Sequence, residues 1–327
     1  MKGNVVNEKQ SNVYDVVIAG GGPAGLNAAL TLGRVRRRVL LADSGQPRNA
    51  ASAAVHGLFS RDGDDPARLR RIAREQLAAY PSARLVDTAV ESAARAGDGF
   101  EVTLAGGETA RARRLLLATG LADELPAVDG LARLWGRGAY HCPYCHCWEV
   151  RDQPVAVLGG DDAAAHLALG LARLGCEVVL CAGGPPAFSE AARDGLRAAG
   201  VRVCEDLVLG VDGVPGRHVR LSLSPGWTLE RRALFVHPGF RQRSGLAARL
   251  GCAVLDDGAV PGVYATGDMS RTPAMPGPAA QVVMAAAAGA RAAVVIDQEL
   301  LFADSYGGQQ PVTPVASPAA SGADSPD

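Results

Sequence analysis

Apolar residues along the chain fall into short runs cut by glycine-rich turns, and their spacing alternates between two periods. Val13 to Ala19 (VYDVVIA) is a β-branched run of strand length, ended by three glycines. Residues 26–37 (LNAALTLGRVRR) then place apolar side chains at helical spacing, and Arg38 to Ala42 is a second strand closed by Asp43. The same succession returns at Val155: VAVLGG predicts a strand into a turn, AAAHLALGLARLG a helix and CEVVLC the next strand. Between the two, Arg114 to Gly120 (RLLLATG) reads as a buried strand ending in a small-residue turn. Val263 to Asp268 (VYATGD) repeats that pattern with an acid behind it, and a helix follows from about Ala280. Two strand–turn–helix–strand units predict an α/β chain with two Rossmann-like, doubly wound domains. The Ala-rich stretch 279–296 is interrupted by Gln281, Gly289 and Arg291, so it reads as a packed helix. A membrane span needs about 20 strongly apolar residues.

Composition narrows the function classes. The 327 residues are enough for two domains, and 48% of them are hydrophobic. Lys+Arg is 33 against Asp+Glu at 34, a formal net charge of −1, which lacks the footprint of a nucleic-acid binder. Residues 1–12 are polar and carry no signal-peptide run, so the expected location is cytoplasmic and no membrane partner is expected. Residues 311–327 are rich in Pro, Ala and Ser and read as a disordered tail.

The first turn carries chemistry. Gly20, Gly22 and Gly25 form G-x-G-x-x-G between a strand and a helix, the context that makes this pattern specific for a dinucleotide. Gly20 permits the tight turn, Gly22 lets backbone approach a pyrophosphate, and Gly25 allows close helix–strand packing. The helix N-terminus offers N–H groups to the phosphates. Asp43 is placed to bond a ribose hydroxyl.

Seven cysteines, an odd number, argue against a structural disulfide framework. Cys176, Cys181, Cys204 and Cys252 lie alone in apolar surroundings, as buried small hydrophobes do. Cys142, Cys145 and Cys147 crowd into six residues. In His141-Cys142-Pro143-Tyr144-Cys145-His146 the C-x-x-C spacing brings two sulfurs within reach of a reversible disulfide. His141 and His146 can lower a thiol pKa as imidazolium or take its proton when neutral. A zinc site is the alternative, but no second Cys/His pair follows at finger spacing, so no metal is expected. Cys147 is a spare thiol or a packing residue.

The order of these motifs (GGGPAG with Asp43, ATG at Ala118–Gly120, C-x-x-C before a second Rossmann unit, ATGD at Ala265–Asp268) resembles the low-molecular-weight thioredoxin reductase family over residues 13–305. The resemblance implies a split FAD domain, 13–123 plus 254–310, after an extension of residues 1–12. It implies an inserted domain, 124–253, that carries the cysteine pair and binds NADPH in ordinary reductases. By the same resemblance Gly20, Gly22, Pro23, Ala24, Gly25, Asp43, Ala118, Thr119, Gly120 and Gly267 would hold FAD. Asp268 would bond its ribityl chain, Gln281 would lie near the isoalloxazine ring, and Asn49 and His56 (in PRN…HG) would line the flavin. Cys145 would face the flavin and Cys142 exchange with substrate. His146 stands where reductases have Asp and is, with His141, the candidate acid/base. A homodimer is expected from the family.

Two departures redirect the function. The second turn reads Gly159-Gly160-Asp161-Asp162, placing a carboxylate where a pyrophosphate should sit. After Val178–Leu180 the chain reads Cys181-Ala182-Gly183-Gly184-Pro185-Pro186, with no Arg or Lys for a 2′-phosphate. NADPH is therefore not expected. A flavin and a dithiol without a nicotinamide site resemble the FAD-dependent dithiol oxidases that close disulfides in gliotoxin, holomycin and romidepsin-type natural products. HCPYCH-x-WEV, residues 141–150, looks like that branch's motif, the depsipeptide type included. The partners implied are a small-molecule dithiol and O2, giving H2O2. The alternatives are a disulfide reductase fed by NADPH or ferredoxin, and a flavin-bound redox sensor.

Overall fold

The computed structural model describes residues 12–252, 260–270 and 280–307. Residues 1–11, the tail 311–327 and the expected boundary at 253/254 lie outside them. The chain opens with β1 (Val13–Ala19), α1 (Pro23–Arg34), β2 (Val39–Ala42), α2 (Pro66–Leu77) and β3 (Ala83–Val86). It then runs through β4 (Val90–Ala96), β5 (Gly99–Leu104) and β6 (Thr109–Leu117). β1 pairs in parallel with β2 and β6, and β3 lies beyond β2. On its other edge β6 serves two neighbours: its first half pairs antiparallel with β5, and its second half takes β17 (Val263–Ala265) in parallel. That last pairing returns distant chain to the first sheet, in the manner of a split domain.

An antiparallel ribbon, β7 (Leu121–Glu124) with β16 (Gly239–Gln242), carries the chain out and back. The inserted unit holds α3 (Leu131–Leu134), β8 (Ala139–Tyr140), α4 (Pro143–His146), β9 (Pro154–Leu158), α5 (Asp162–Ala172), β10 (Glu177–Cys181), α6 (Glu190–Ala198) and β11 (Arg202–Cys204). It ends in β12 (Val208–Val214), β13 (His218–Leu223), β14 (Trp227–Arg231) and β15 (Ala233–Val236). Its parallel sheet has the order β11-β10-β9-β15-β8, covered by the antiparallel sheet β12-β13-β14. After the ribbon come α7 (Leu246–Arg249) and, last, α8 (Val282–Tyr306). Leu246 is buried with Val17, Leu40 and Leu117, so the chain is already back in the first core at α7.

Both central sheets follow one packing rule. Successive strand residues point to opposite faces, so Val16, Ile18, Val39, Leu41 and Leu116 meet α1 and α8, while Val17, Leu40, Leu115 and Leu117 meet the β4–β5 side. In the insert Val155, Val157, Val178 and Leu180 meet α5 and α6, and Ala156, Val179 and Leu234 meet the antiparallel sheet. Strands buried on both faces have continuous apolar sequences, which is why VVIA and AVL read so clearly. The Ala-rich helix α8 packs on α1, where a Cβ on Gly289 would lie 2.0 Å from the Ala24 carbonyl oxygen. None of the described helices is long and apolar enough to cross a membrane.

Candidate functional site

The glycine turn after β1 is shaped by contacts that differ at each position. Gly20 has φ +110°, and a Cβ there would lie 2.4 Å from the Ala118 carbonyl oxygen. A Cβ on Gly25 would lie 1.8 Å from the Gly20 oxygen, so that glycine is demanded by the protein itself. Around Gly22 a Cβ would meet nothing within 4 Å: the residue faces the cavity, and its smallness serves what enters there. Gly21, which the sequence did not single out, is confined by the Asp43 carboxyl, 2.3 Å from its would-be Cβ.

One cavity gathers most of the predicted residues. Its walls include Gly20, Gly22, Pro23, Ala24, Asp43, Asn49, His56, Ala118, Thr119, Gly120, Gly267, Asp268 and Gln281. Gly25 lies behind the wall. These groups fit FAD. The N-terminus of α1 points at a Cβ-free approach and has no acidic residue in its first turn. Asp43 is buried, with Oδ1 accepting from the Gly45 amide at 3.0 Å and Oδ2 from Arg70 and Arg74 of α2 at 2.9 and 3.3 Å. Asp268 is half-buried, and that burial raises its pKa against the opposing pull of Arg48. His56 lies between two carboxylates, Nδ1 3.5 Å from Asp62 and Nε2 3.4 Å from Glu149.

One sulfur of the redox pair borders the same cavity. Cys142 caps the single-turn helix α4, and Cys142 and Cys145 are joined as a disulfide with Cα atoms 5.3 Å apart. Cys145, His141 and His146 line the cavity with the glycine turn; Cys142 is not part of that wall. Cys147 is buried in the insert's core, where burial and then Cys176 push its thiol up to about 11. It is a packing residue.

The two histidines differ in what their lone pairs do. Ser52 Oγ donates its one proton to the Ala54 carbonyl at 2.8 Å, so the 3.2 Å contact with His146 Nε2 has the imidazole as donor. His146 Nδ1 is therefore bare, buried and without a hydrogen-bond partner among the described residues. Its ring stacks on Tyr140, centroids 4.2 Å apart. His141 is the opposite case: Arg48 Nη2 can only donate, so at 3.3 Å the His141 Nε2 lone pair is already used. Burial first, then His56 for His146 and Arg48 for His141, lower both pKa values to about 4. Of the two options the sequence left open, a neutral imidazole is the one present at pH 7.

The second glycine turn is built differently. Asp161 caps α5 by accepting the Ala164 amide at 2.9 Å, and Asp162 Oδ1 accepts the Ser189 amide at 2.7 Å. The Ala187 amide donates to the Gly160 carbonyl at 2.8 Å, and a Cβ on Gly160 would lie 3.1 Å from the Ala182 oxygen. The 182–189 loop thus lies on the turn where the first unit has its cavity.

The family model for pyridine nucleotide-disulphide oxidoreductases matches residues 14–292. The chain belongs to that family. Thioredoxin reductase tcpT of Claviceps purpurea is 32% identical over 79% of this chain and 87% of its own length. Thioredoxin reductase sirT of Leptosphaeria maculans is 30% identical over 90% and 96%. A probable thioredoxin reductase of Arthroderma benhamiae is 41% identical over 152 residues, and there the match spans 38% of that protein's length. Among solved structures, HlmI is 37% identical with a TM-score of 0.84, covering 93% of this chain and 97% of HlmI. An oxidoreductase from Agrobacterium tumefaciens is 33% identical with a TM-score of 0.80, over 88% and 99%. The chain is thus a thioredoxin reductase-like disulfide oxidoreductase of two Rossmann-like domains.

Sequence reading passed over Arg48, Ser52, Asp123, Trp135 and Tyr140. Arg48 lies inside the PRN segment, next to Asn49; the others carry no motif and gain their place only through contacts across the fold.

Proposed function

We propose that this chain is an FAD-dependent dithiol oxidase that closes a disulfide in a small-molecule natural-product dithiol: R(SH)2 + O2 → RS–SR + H2O2. The supporting observation is a contrast between the two turns. The first faces a cavity shared with Cys145, while the second carries Asp161 and Asp162 under its own loop. Two carboxylates at a helix N-terminus repel the dianion that NADPH brings, so the enzyme works without NADPH.

A substrate thiolate attacks Cys142 Sγ and the Cys142–Cys145 bond breaks, Cys145 leaving as thiolate. His146 Nδ1 takes the proton of the second substrate thiol. The thiolate so formed attacks the substrate sulfur of the mixed disulfide, releasing the cyclic product and the Cys142 thiolate. Holding both thiols at one sulfur makes ring closure effectively unimolecular. The pair of electrons leaves through Cys145, and the Cys142–Cys145 bond re-forms. FAD, held by the Gly20–Ala24 turn, Asp43, Gly267, Asp268 and Gln281, supplies the two-electron acceptor that O2 reoxidises.

The enzyme acts as a homodimer. α8 leaves Val294, Val295, Leu301 and Phe302 exposed, two pairs seven residues apart on one stripe, which a second copy would cover.

The test is anaerobic mixing of the oxidised holoenzyme with excess NADPH and, separately, with dithiothreitol. Bleaching by the dithiol alone, with colour and peroxide returning in air, is the expected result. Bleaching by NADPH at a useful rate returns the protein to the reductases.

A further inference from the structure

One guanidinium joins the parts of the chain that meet at the cavity. Arg48 stands on the 3-10 turn Arg48–Ala51 of the first unit. Its Nε and Nη2 donate to Asp123 Oδ1, in the outgoing strand β7, at 2.9 and 2.5 Å. Its face lies over Phe240 of the returning strand β16, 5.2 Å from the ring centroid. Nη1 reaches Asp268 Oδ2 at 3.4 Å, and Nη2 donates to His141 Nε2 at 3.3 Å, one residue before Cys142. The contacts close a ring through Trp135, whose Nε1 donates to Asp123 Oδ2 at 3.2 Å and whose indole stacks on His141 with centroids 5.8 Å apart.

The same turn meets the insert at two more points. A Cβ on Gly136 would come 2.8 Å from the Ala51 carbonyl, so backbone approaches backbone closely there. Ser52 accepts from His146.

We propose that Arg48 is a positioning residue for the redox pair: it pins His141, and with it the Cys142–Cys145 disulfide, against the cavity that Cys145 lines. The proposal rests on the oxidase reading only in taking that cavity as the acceptor's site. Arg48 is 14% exposed, so its two carboxylate partners are largely desolvated and depend on it for compensation. The planar fork matters as much as the charge. A guanidinium can hold a carboxylate through two nitrogens and an imidazole at once in fixed directions, and an ammonium cannot. Fixity of this kind has kinetic weight, since a placement error on the order of 1 Å can cost about 100-fold in rate.

The test uses the holoenzyme with Arg48→Met, Arg48→Lys and, as a variant that breaks the same ring from the other side, Asp123→Asn. Oxidised protein is mixed anaerobically with excess dithiothreitol and quenched at intervals with an alkylating reagent. Free thiols on Cys142 and Cys145 are counted by mass spectrometry while flavin absorbance is followed in parallel. In R48M, protein thiols are expected to accumulate while flavin reduction lags about 100-fold behind the natural protein. R48K and D123N should show the same lag in smaller measure.

The pH profile gives a second readout that general loosening would not move. His141 is faced by Arg48, Asp123, His146 and His237. Removing the Arg48 charge raises the His141 pKa, so the titration of the His141 ring, followed by NMR, shifts upward in R48M and stays in place in R48K, while the acid limb set by His146 does not move. Equal slowing of thiol appearance and flavin reduction, or no slowing, overturns the proposal. If the natural protein's flavin accepts nothing from a dithiol, the oxidase reading fails instead. Photoreduced flavin then gives the same comparison in reverse, with thiols expected about 100-fold more slowly in R48M.

Discussion

His146 donates from Nε2 to Ser52 Oγ at 3.2 Å, and that bond decides which of its nitrogens can act as a base. Because the Ser52 hydroxyl proton is committed to the Ala54 carbonyl, the imidazole proton sits on Nε2 and Nδ1 stays bare. A buried lone pair without a partner is costly in a purely structural histidine, and here it borders the cavity that Cys145 lines.

His146→Gln is therefore expected to slow dithiol-driven flavin reduction by about 10²- to 10⁴-fold, the usual weight of a general base. Ser52→Ala removes only the bond that selects the tautomer, worth about 1 kcal/mol, and should cost roughly fivefold. Stopped-flow reduction with dithiothreitol measures both. A Ser52 variant slower than the His146 variant would contradict the assignment.

The same histidines set a pH dependence with a definite sign. Both have folded pKa values near 4, below the 6.5 of a free imidazole, chiefly through burial. Between those limits the unfolded chain binds more protons than the native one, so stability is intact above about pH 6.5 and falls as pH drops toward 4. The base form of His146 survives over the same range. Melting temperature should thus decline below pH 6.5 while single-turnover flavin reduction holds until about pH 4. A rate that halves near pH 6.5 would place the working base elsewhere.

Gly22 and Gly25 separate ligand from fold. A Cβ on Gly22 meets no protein atom within 4 Å, whereas on Gly25 it would lie 1.8 Å from backbone oxygen. Gly22→Ala should purify without flavin, yet melt within a degree or two of flavin-stripped natural protein. Gly25→Ala should lose several degrees as well, because packed backbone has to move. Absorbance of the purified variants and their melting curves are the readout.

The two sulfurs should trap different species. Cys145→Ser leaves Cys142 free to form a mixed disulfide that no internal thiol can resolve, so an activated substrate disulfide should add its mass at Cys142. Cys142→Ser should give far less adduct, because Cys145 faces the inner cavity. Intact-mass spectra distinguish the two, and equal labelling would mean that both sulfurs reach solvent.

Asp161→Gly alone should not restore NADPH binding. The substitution costs only a few tenths of a kcal/mol at the helix cap, but Asp162 still holds the Ser189 amide and Ala187 still donates to Gly160. Flavin in this variant should stay oxidised under excess NADPH. Bleaching would mean that the carboxylate by itself had blocked the site.

The α/β class, the two turn-bearing units and the chain positions of the reactive groups are legible before any folding is considered. Each of those is a local property. Strands buried on both faces must be apolar throughout, a turn that touches backbone at Gly25 must lack a Cβ, and a C-x-x-C pair sits within one helical turn. The altered second turn is legible too, since Asp161 and Asp162 stand beside Gly160 in the chain. The antiparallel pieces were not legible: β4 (VESAARA), β12 and β14 are half-exposed and follow no clean alternation, which left the alternating β13 (HVRLSL) without recognisable partners. Nor was the longer start of β6, which is held by β5 on one edge and by Val13 and Tyr14 of β1 on the other.

Which histidine keeps a free lone pair is a property of the fold, because Ser52 and Arg48 stand about 90 residues away from their imidazoles in sequence. The fold also settles that Cys147, left open by the sequence, packs in a core. It also brought Asp123, Asp268, Phe240 and His141 to one guanidinium. Protonation and placement depend on which dipoles and charges surround a group in space, and in this chain those partners come from segments that the sequence keeps far apart.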